Sequence, residues 1–191
     1  MIAKLRHFVP LHTLLNIYRS LILPYLTYGL ITWGQACKTY FKKCLIIQKR
    51  VLRLYFTDRK QHAIPLFIKA NTMPPSFLYY QSVSNLMHDI HSKSAPRNIQ
   101  NLFKTTNDIH AYNTRSSKSL KFLYQSSRLE IQKNAFSRIG VKLWNEIPLF
   151  LREKPKRIFK RELEMILIDI FKEGDSYIEL STIISKVKLF K

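Results

Sequence analysis

Residues 38–56 repeat their apolar side chains with the period of an α-helix, and the repeat constrains everything around it. At about 100° per residue, Tyr40, Phe41, Cys44, Leu45, Ile47, Val51, Leu52, Leu54 and Tyr55 fill one half of the wheel, and Gln48 interrupts them. Lys42, Lys43, Lys49, Arg50 and Arg53 gather in an arc of about 120° on the other half, broken by Ile46. The plain reading of such a helix is a core element with a solvated basic face. Solvated faces, however, mix charge signs, and no acid precedes Asp58 in this chain. The face therefore reads as one that meets phosphates.

The charge of the whole chain points the same way. Its 191 residues carry 32 Lys and Arg against 12 Asp and Glu, for a net charge of +20. Residues 1–107 hold fifteen cations and two acids, Asp58 and Asp89, for a net of +13. Residues 108–145 add +5, and residues 146–191 only +2. A polyanion is expected to meet the N-terminal two thirds. With 46% hydrophobic residues the chain has enough apolar surface to order itself, and its length suits one domain, or one domain with a tail.

The periodicity predicts a mainly α protein: a helical bundle, a long irregular connector and a C-terminal helical segment. A helix over about 11–32 carries Leu14, Leu15, Tyr18, Leu21, Ile22, Tyr25 and Leu26, with a kink or break near Pro24 and a stop at Gly34. The helix at 38–56 follows, then a short segment over 62–71. Pro74, Pro75 and Ser76 open a helix over about 76–92. Residues 92–130, rich in Ser, Thr, Asn and Lys, read as the connector. Helices over 131–145 and 156–173 follow, and the tail 175–191 reads as a short helix or a strand. The resulting regions are 1–91, 92–130, 131–173 and 174–191.

Self-contained chemistry is hard to assemble from these residues. No two aspartates are adjacent, and Glu162, Glu164 and Asp169 make no i, i+4 pair, so paired carboxylates for acid–base or two-metal work are not evident. His88 and His91 share a helix face without a third ligand. Cys37 and Cys44 read as core thiols, and four glycines are too few for a phosphate-cradling loop. The charge-free stretch Ser20–Cys37 is eighteen residues long and interrupted by Pro24, Gly29 and Gly34, which favours burial over a membrane span. Tyr18, Tyr25, Tyr28, Trp33 and Trp144 suit either base stacking or core packing. Their apolar neighbours favour the core, with Trp33 and Trp144 as its anchors.

Several strings then converge on one family. Residues 4–53 resemble the segment that follows the palm in reverse transcriptases of non-LTR, LINE-type retrotransposons of the jockey-like kind. The marks are Leu14 to Tyr18, Pro24-Tyr25-Leu26-Thr27-Tyr28-Gly29, Trp33-Gly34 and Ile47-Gln48-Lys49-Arg50. His110-Ala111-Tyr112-Asn113-Thr114-Arg115 and Gly140-Val141-Lys142-Leu143-Trp144-Asn145-Glu146-Ile147-Pro148 resemble two later strings of that family, in the same order, and Phe159-Lys160 resembles the start of its last helix.

The resemblance implies the thumb and post-thumb region of an RNA-directed DNA polymerase, a piece that grips a template–primer duplex. The family's paired aspartates, which bind magnesium in the palm, have no counterpart in this sequence. The chain is therefore expected to be a fragment, inactive alone, with no cofactor of its own. Its expected partners are an RNA–DNA or RNA duplex backbone and the missing palm, with no membrane or small-molecule substrate. The family implies an intracellular, ribonucleoprotein setting. Lys42, Lys49 and Arg53 are the expected phosphate contacts, flanked by Lys43 and Arg50, with Arg115 as a further candidate. The alternative is a host-retained basic module that binds nucleic acid or protein without catalysis.

Overall fold

The computed structural model describes residues 2–35, 38–56, 63–105, 120–126, 128–129, 132, 134–173 and 180–189. The protein is mainly α-helical. Among the described residues the β-structure is one isolated antiparallel bridge, Thr105 to Phe122. The chain divides into two compact units, residues 1–79 with 171–178 and residues 80–170 with 179–191.

The first unit contains α1 (Ile2–Leu5), α2 (Leu11–Ile17), a π-helical turn (Tyr18–Ile22), α3 (Leu23–Thr27), α4 (Leu30–Trp33), α5 (Lys38–Phe56) and α6 (Ala63–Lys69). It also takes the start of α7 (Pro75–His91). The distortion expected at Pro24 takes the form of the π turn just ahead of it. Pro24 has no N–H, and in a continuous α-helix its ring would strike the carbonyl of Ser20. The ladder widens there, so that the Leu23 N–H reaches back five residues to the Tyr18 carbonyl. The break itself comes later, where Tyr28 turns extended and Gly29 adopts φ +60°.

The widened turn decides which side chains face inward. In an unbroken α-helix Tyr25, seven residues after Tyr18, would lie on the same face. The extra residue in the π turn rotates the later positions, so that Leu23 follows Tyr18 inward. Tyr18 is fully buried with Leu14 and Val51, and Leu15, Ile22, Leu23 and Leu54 pack around them. Leu21, Tyr25 and Tyr28 are instead exposed, which corrects the core placement expected for the two tyrosines. Trp33, expected as a core anchor, is half-buried. Its indole N–H donates to the Tyr28 carbonyl at 2.7 Å.

Other contacts close this unit. The segment over 62–71 contains α6, with Leu66 and Phe67 wholly buried. Phe67 and Phe77 both stand edge-on to Phe171, at 5.8 and 5.4 Å. The Arg19 guanidinium donates to the Ala70 carbonyl at 2.7 Å. At Gly34 the ring of Tyr79 lies so close to the backbone that an added Cβ would overlap it, which is why the residue there is glycine.

The second unit takes the rest of α7, then α8 (Arg97–Gln100), α9 (Phe136–Glu146), α10 (Leu149–Arg152), most of α11 (Lys156–Lys172) and α12 (Leu180–Leu189). Helix α9 begins five residues later than its pattern predicts, and the tail resolves as a helix. Trp144 is wholly buried, as its anchor role requires. It is ringed by His91, Phe159 and Phe122 at 5.4, 6.0 and 6.2 Å, and its indole N–H donates to the Leu120 carbonyl at 2.9 Å. Asn145 accepts from the Phe122 N–H at 3.0 Å and donates to the Phe122 carbonyl at 2.8 Å. The connector is thus pinned to α9 at both faces of one peptide residue. Buried Arg152 donates to the carbonyls of Ile147 and Asn145 at 2.7 and 2.8 Å.

Three outcomes test this description. Tyr18→Phe should cost about 1–3 kcal/mol, because the buried Gln48 amide that donates to its hydroxyl at 3.0 Å is left unpaired. Adding Gln48→Leu should recover most of that loss in urea titrations, and an equal or larger loss in the double variant would refute the account. Asn145→Ala should cost a similar amount, about 1–3 kcal/mol, and speed amide exchange at Phe122. Burial, then the neighbouring His88 and Arg152, push His91 below its ordinary value. The unfolded chain therefore binds that proton first, and stability falls as pH drops through the ordinary histidine range near 6.5. His91→Gln should flatten the fall in Tm between about pH 7 and pH 5; an unchanged slope would assign the effect elsewhere.

Candidate nucleic-acid interface

Helix α5 spans the range its periodicity predicts, Lys38–Phe56. Its inward face is narrower than the half wheel expected. Leu45, Gln48, Val51 and Leu52 are buried, whereas Ile47, expected in the core, is exposed together with Ile46. The buried arc centres on Gln48, the residue that seemed to interrupt the apolar half. The reason is its partner: the side-chain amide donates to the buried Tyr18 hydroxyl. Burial raises the Tyr18 pKa, so the hydroxyl stays neutral at physiological pH. A polar pair between the π turn and α5 thereby sets the rotation of α5 about its axis.

That rotation turns the basic arc outward. Lys42, Lys43 and Arg50 are exposed, and Lys49 and Arg53 are half-buried. The Arg53 Nε is itself buried without a hydrogen-bond partner. The five cations expected from the sequence share one side of one helix, with Ile46 among them and Ile47 beside them. Long cationic side chains on a fixed helix suit phosphates along a duplex, because they position by charge and leave base identity unread. Arg115, the sixth candidate, lies outside the described residues, as does Cys37. Cys44 is half-buried, and burial pushes its thiol pKa up, away from reactivity.

A second basic surface was missed at the sequence level. Lys156, Arg157, Lys160 and Arg161 are all exposed over the first turns of α11, where no acid stands in the first turn. Lys156 pairs with Asp89 at 2.8 Å. The signal was legible as four cations within six residues, but eight acids elsewhere in the C-terminal third mask it in a net charge. The same unit holds an open cleft of about 640 Å³ lined by Lys121, Glu146, Phe150, Arg152 and Lys188. Lys188 pairs with Glu146 at 3.0 Å. Burial brings Arg152 down to about 10, and its guanidinium still holds the end of α9 through backbone carbonyls. The cleft offers neither a carboxylate pair nor an activated nucleophile.

Among the described residues no group of three or more His, Cys, Asp and Glu is placed to hold a metal ion, and no helix is long and apolar enough to cross a membrane. Comparison of the chain with protein-family models, with curated proteins and with solved structures returns no match.

Proposed function

We propose that this chain grips the sugar–phosphate backbone of a nucleic-acid duplex through the outward face of α5, as the thumb and post-thumb region of a non-LTR RNA-directed DNA polymerase would. The carrying observation is the pairing of an acid-free sequence up to residue 57 with a helix whose Lys42, Lys43 and Arg50 are exposed. A buried Tyr18–Gln48 contact sets that orientation. A merely solvated face would carry both signs of charge. The resemblance of the Pro24–Gly29, Ile47–Arg50 and Gly140–Pro148 strings supports the polymerase assignment. Binding is the activity proposed for this chain, because its sequence contains no adjacent aspartates of the kind that anchor catalytic magnesium.

Fluorescence anisotropy of a labelled RNA–DNA duplex, repeated across a salt series, tests this reading. Affinity should fall as salt rises. Lys42→Ala, Lys43→Ala and Arg50→Ala combined should reduce the slope of log K against log salt by about 0.9 per lost phosphate contact. These three side chains are exposed, so the variant should keep its fold. A variant that binds like the parent would show that the face is only solvated.

A further inference from the structure

We infer that Tyr25 and Tyr28 form a stacking platform for the unpaired bases of a single-stranded nucleic acid. The inference rests on the nucleic-acid reading above and extends it to a second surface of the first unit. The two rings are 83% and 85% exposed, and Leu21 is 57% exposed. No packing role accounts for three large side chains left exposed within eight residues. Tyr25 lies in α3 and Tyr28 caps its end three positions on, about 4.5 Å along the axis, within reach of successive bases of one strand.

The platform is held rather than loose. Thr27 Oγ1 donates to the Leu23 carbonyl at 3.0 Å, and the Trp33 indole fastens the Tyr28 carbonyl at 2.7 Å. Gly29, with φ +60°, makes the turn that leaves Tyr28 at its rim. Trp33 in turn packs on Phe41, at 5.9 Å between ring centres, and Phe41 directly precedes Lys42. The platform is therefore two side-chain contacts from the start of the basic face.

Charge selects the occupant. Residues 1–56 contain nine Lys and Arg and no acid, so an exposed aromatic stripe in this setting faces an anionic partner. A strand with free bases supplies both the negative backbone and the flat π faces that tyrosine rings accept. A paired duplex supplies only the first. The two surfaces thus divide the work: phosphates on α5, unpaired bases on Tyr25 and Tyr28.

The test compares three labelled probes in anisotropy titrations: oligothymidylate of about 15 nucleotides, an abasic strand of the same length, and an RNA–DNA duplex. The intact chain should prefer oligothymidylate to the abasic strand. Tyr25→Ala with Tyr28→Ala should weaken oligothymidylate binding roughly tenfold or more and erase that preference, while leaving abasic-strand and duplex binding unchanged. Tyr25→Phe with Tyr28→Phe should retain the preference, since stacking uses the ring and not the hydroxyl. Equal affinity of the intact chain for thymidylate and abasic strands would overturn the inference, as would an alanine variant that binds all three probes like the parent. An alanine variant that leaves nucleic-acid binding intact but turns an oligomer into a monomer on size exclusion would instead assign the stripe to a protein contact. Failure of the intact chain to bind any probe would remove the duplex reading as well. Loss of duplex binding in the Lys42, Lys43 and Arg50 variant, with no effect of the tyrosine variant, would overturn the platform alone.

Discussion

Pro24 lacks an amide proton, and the consequences run through the first unit. The helix that reaches it opens into a π turn, with Leu23 bonded back to Tyr18, rather than snapping at the proline. That single widened turn keeps Tyr18 and Leu23 on the inner side and rotates Leu21 and Tyr25 to the outer side. Tyr18 then meets Gln48, and Gln48 fixes which side of α5 is buried. The outward turn of Tyr25 therefore depends on that local irregularity, and the outward cations of α5 on the Tyr18–Gln48 bond. Insertions of this kind often sit at functional sites, since they re-aim a face without ending a helix.

The second unit solves a different problem, that of a long segment with little periodicity of its own. Such a segment needs partners for its backbone. Asn145 supplies them by bonding both the N–H and the carbonyl of Phe122, while Trp144 takes the Leu120 carbonyl. The aromatic cluster of Phe103, Phe122, Phe136 and Trp144 buries what the backbone bonds position. The string from Gly140 to Pro148 is thus explained by architecture. Gly140 lets Met87 approach, Trp144 fills the core, Asn145 binds the connector, and Ile147 and Asn145 offer carbonyls to Arg152.

Buried polar groups run through both units. Gln48 and Arg152 are each satisfied at least in part by a specific partner, and Tyr79 and Tyr80 bury neutral hydroxyls. Burial raises both tyrosines, Tyr79 to about 12, so they stay neutral. A buried neutral hydroxyl costs far less than a buried charge. A strongly basic chain can tolerate the first inside its core, and it keeps most of its cations at the surface.

Much of this was already legible in the residues. The extents of α5, α7 and α11 follow from 3.6-residue periodicity, with prolines at the starts of α7 and α11, because a long amphipathic stripe has few ways to bury itself. The anchoring role of Trp144 and the cationic side of α5 follow from the same arithmetic. What the linear pattern left out was rotation and reach. An ideal wheel assumes constant twist, so it placed Tyr25 and, on α5, Ile47 on buried faces, and the apolar run around Tyr28 placed that residue in the core as well; the π turn and the Tyr18–Gln48 bond overrule these placements. The basic start of α11 escaped because net charge averages over side chains that tertiary structure separates. Composition and period determined the helices and the sign of their surfaces. The tertiary structure decided which residues face outward, because facing depends on hydrogen bonds between residues thirty positions apart.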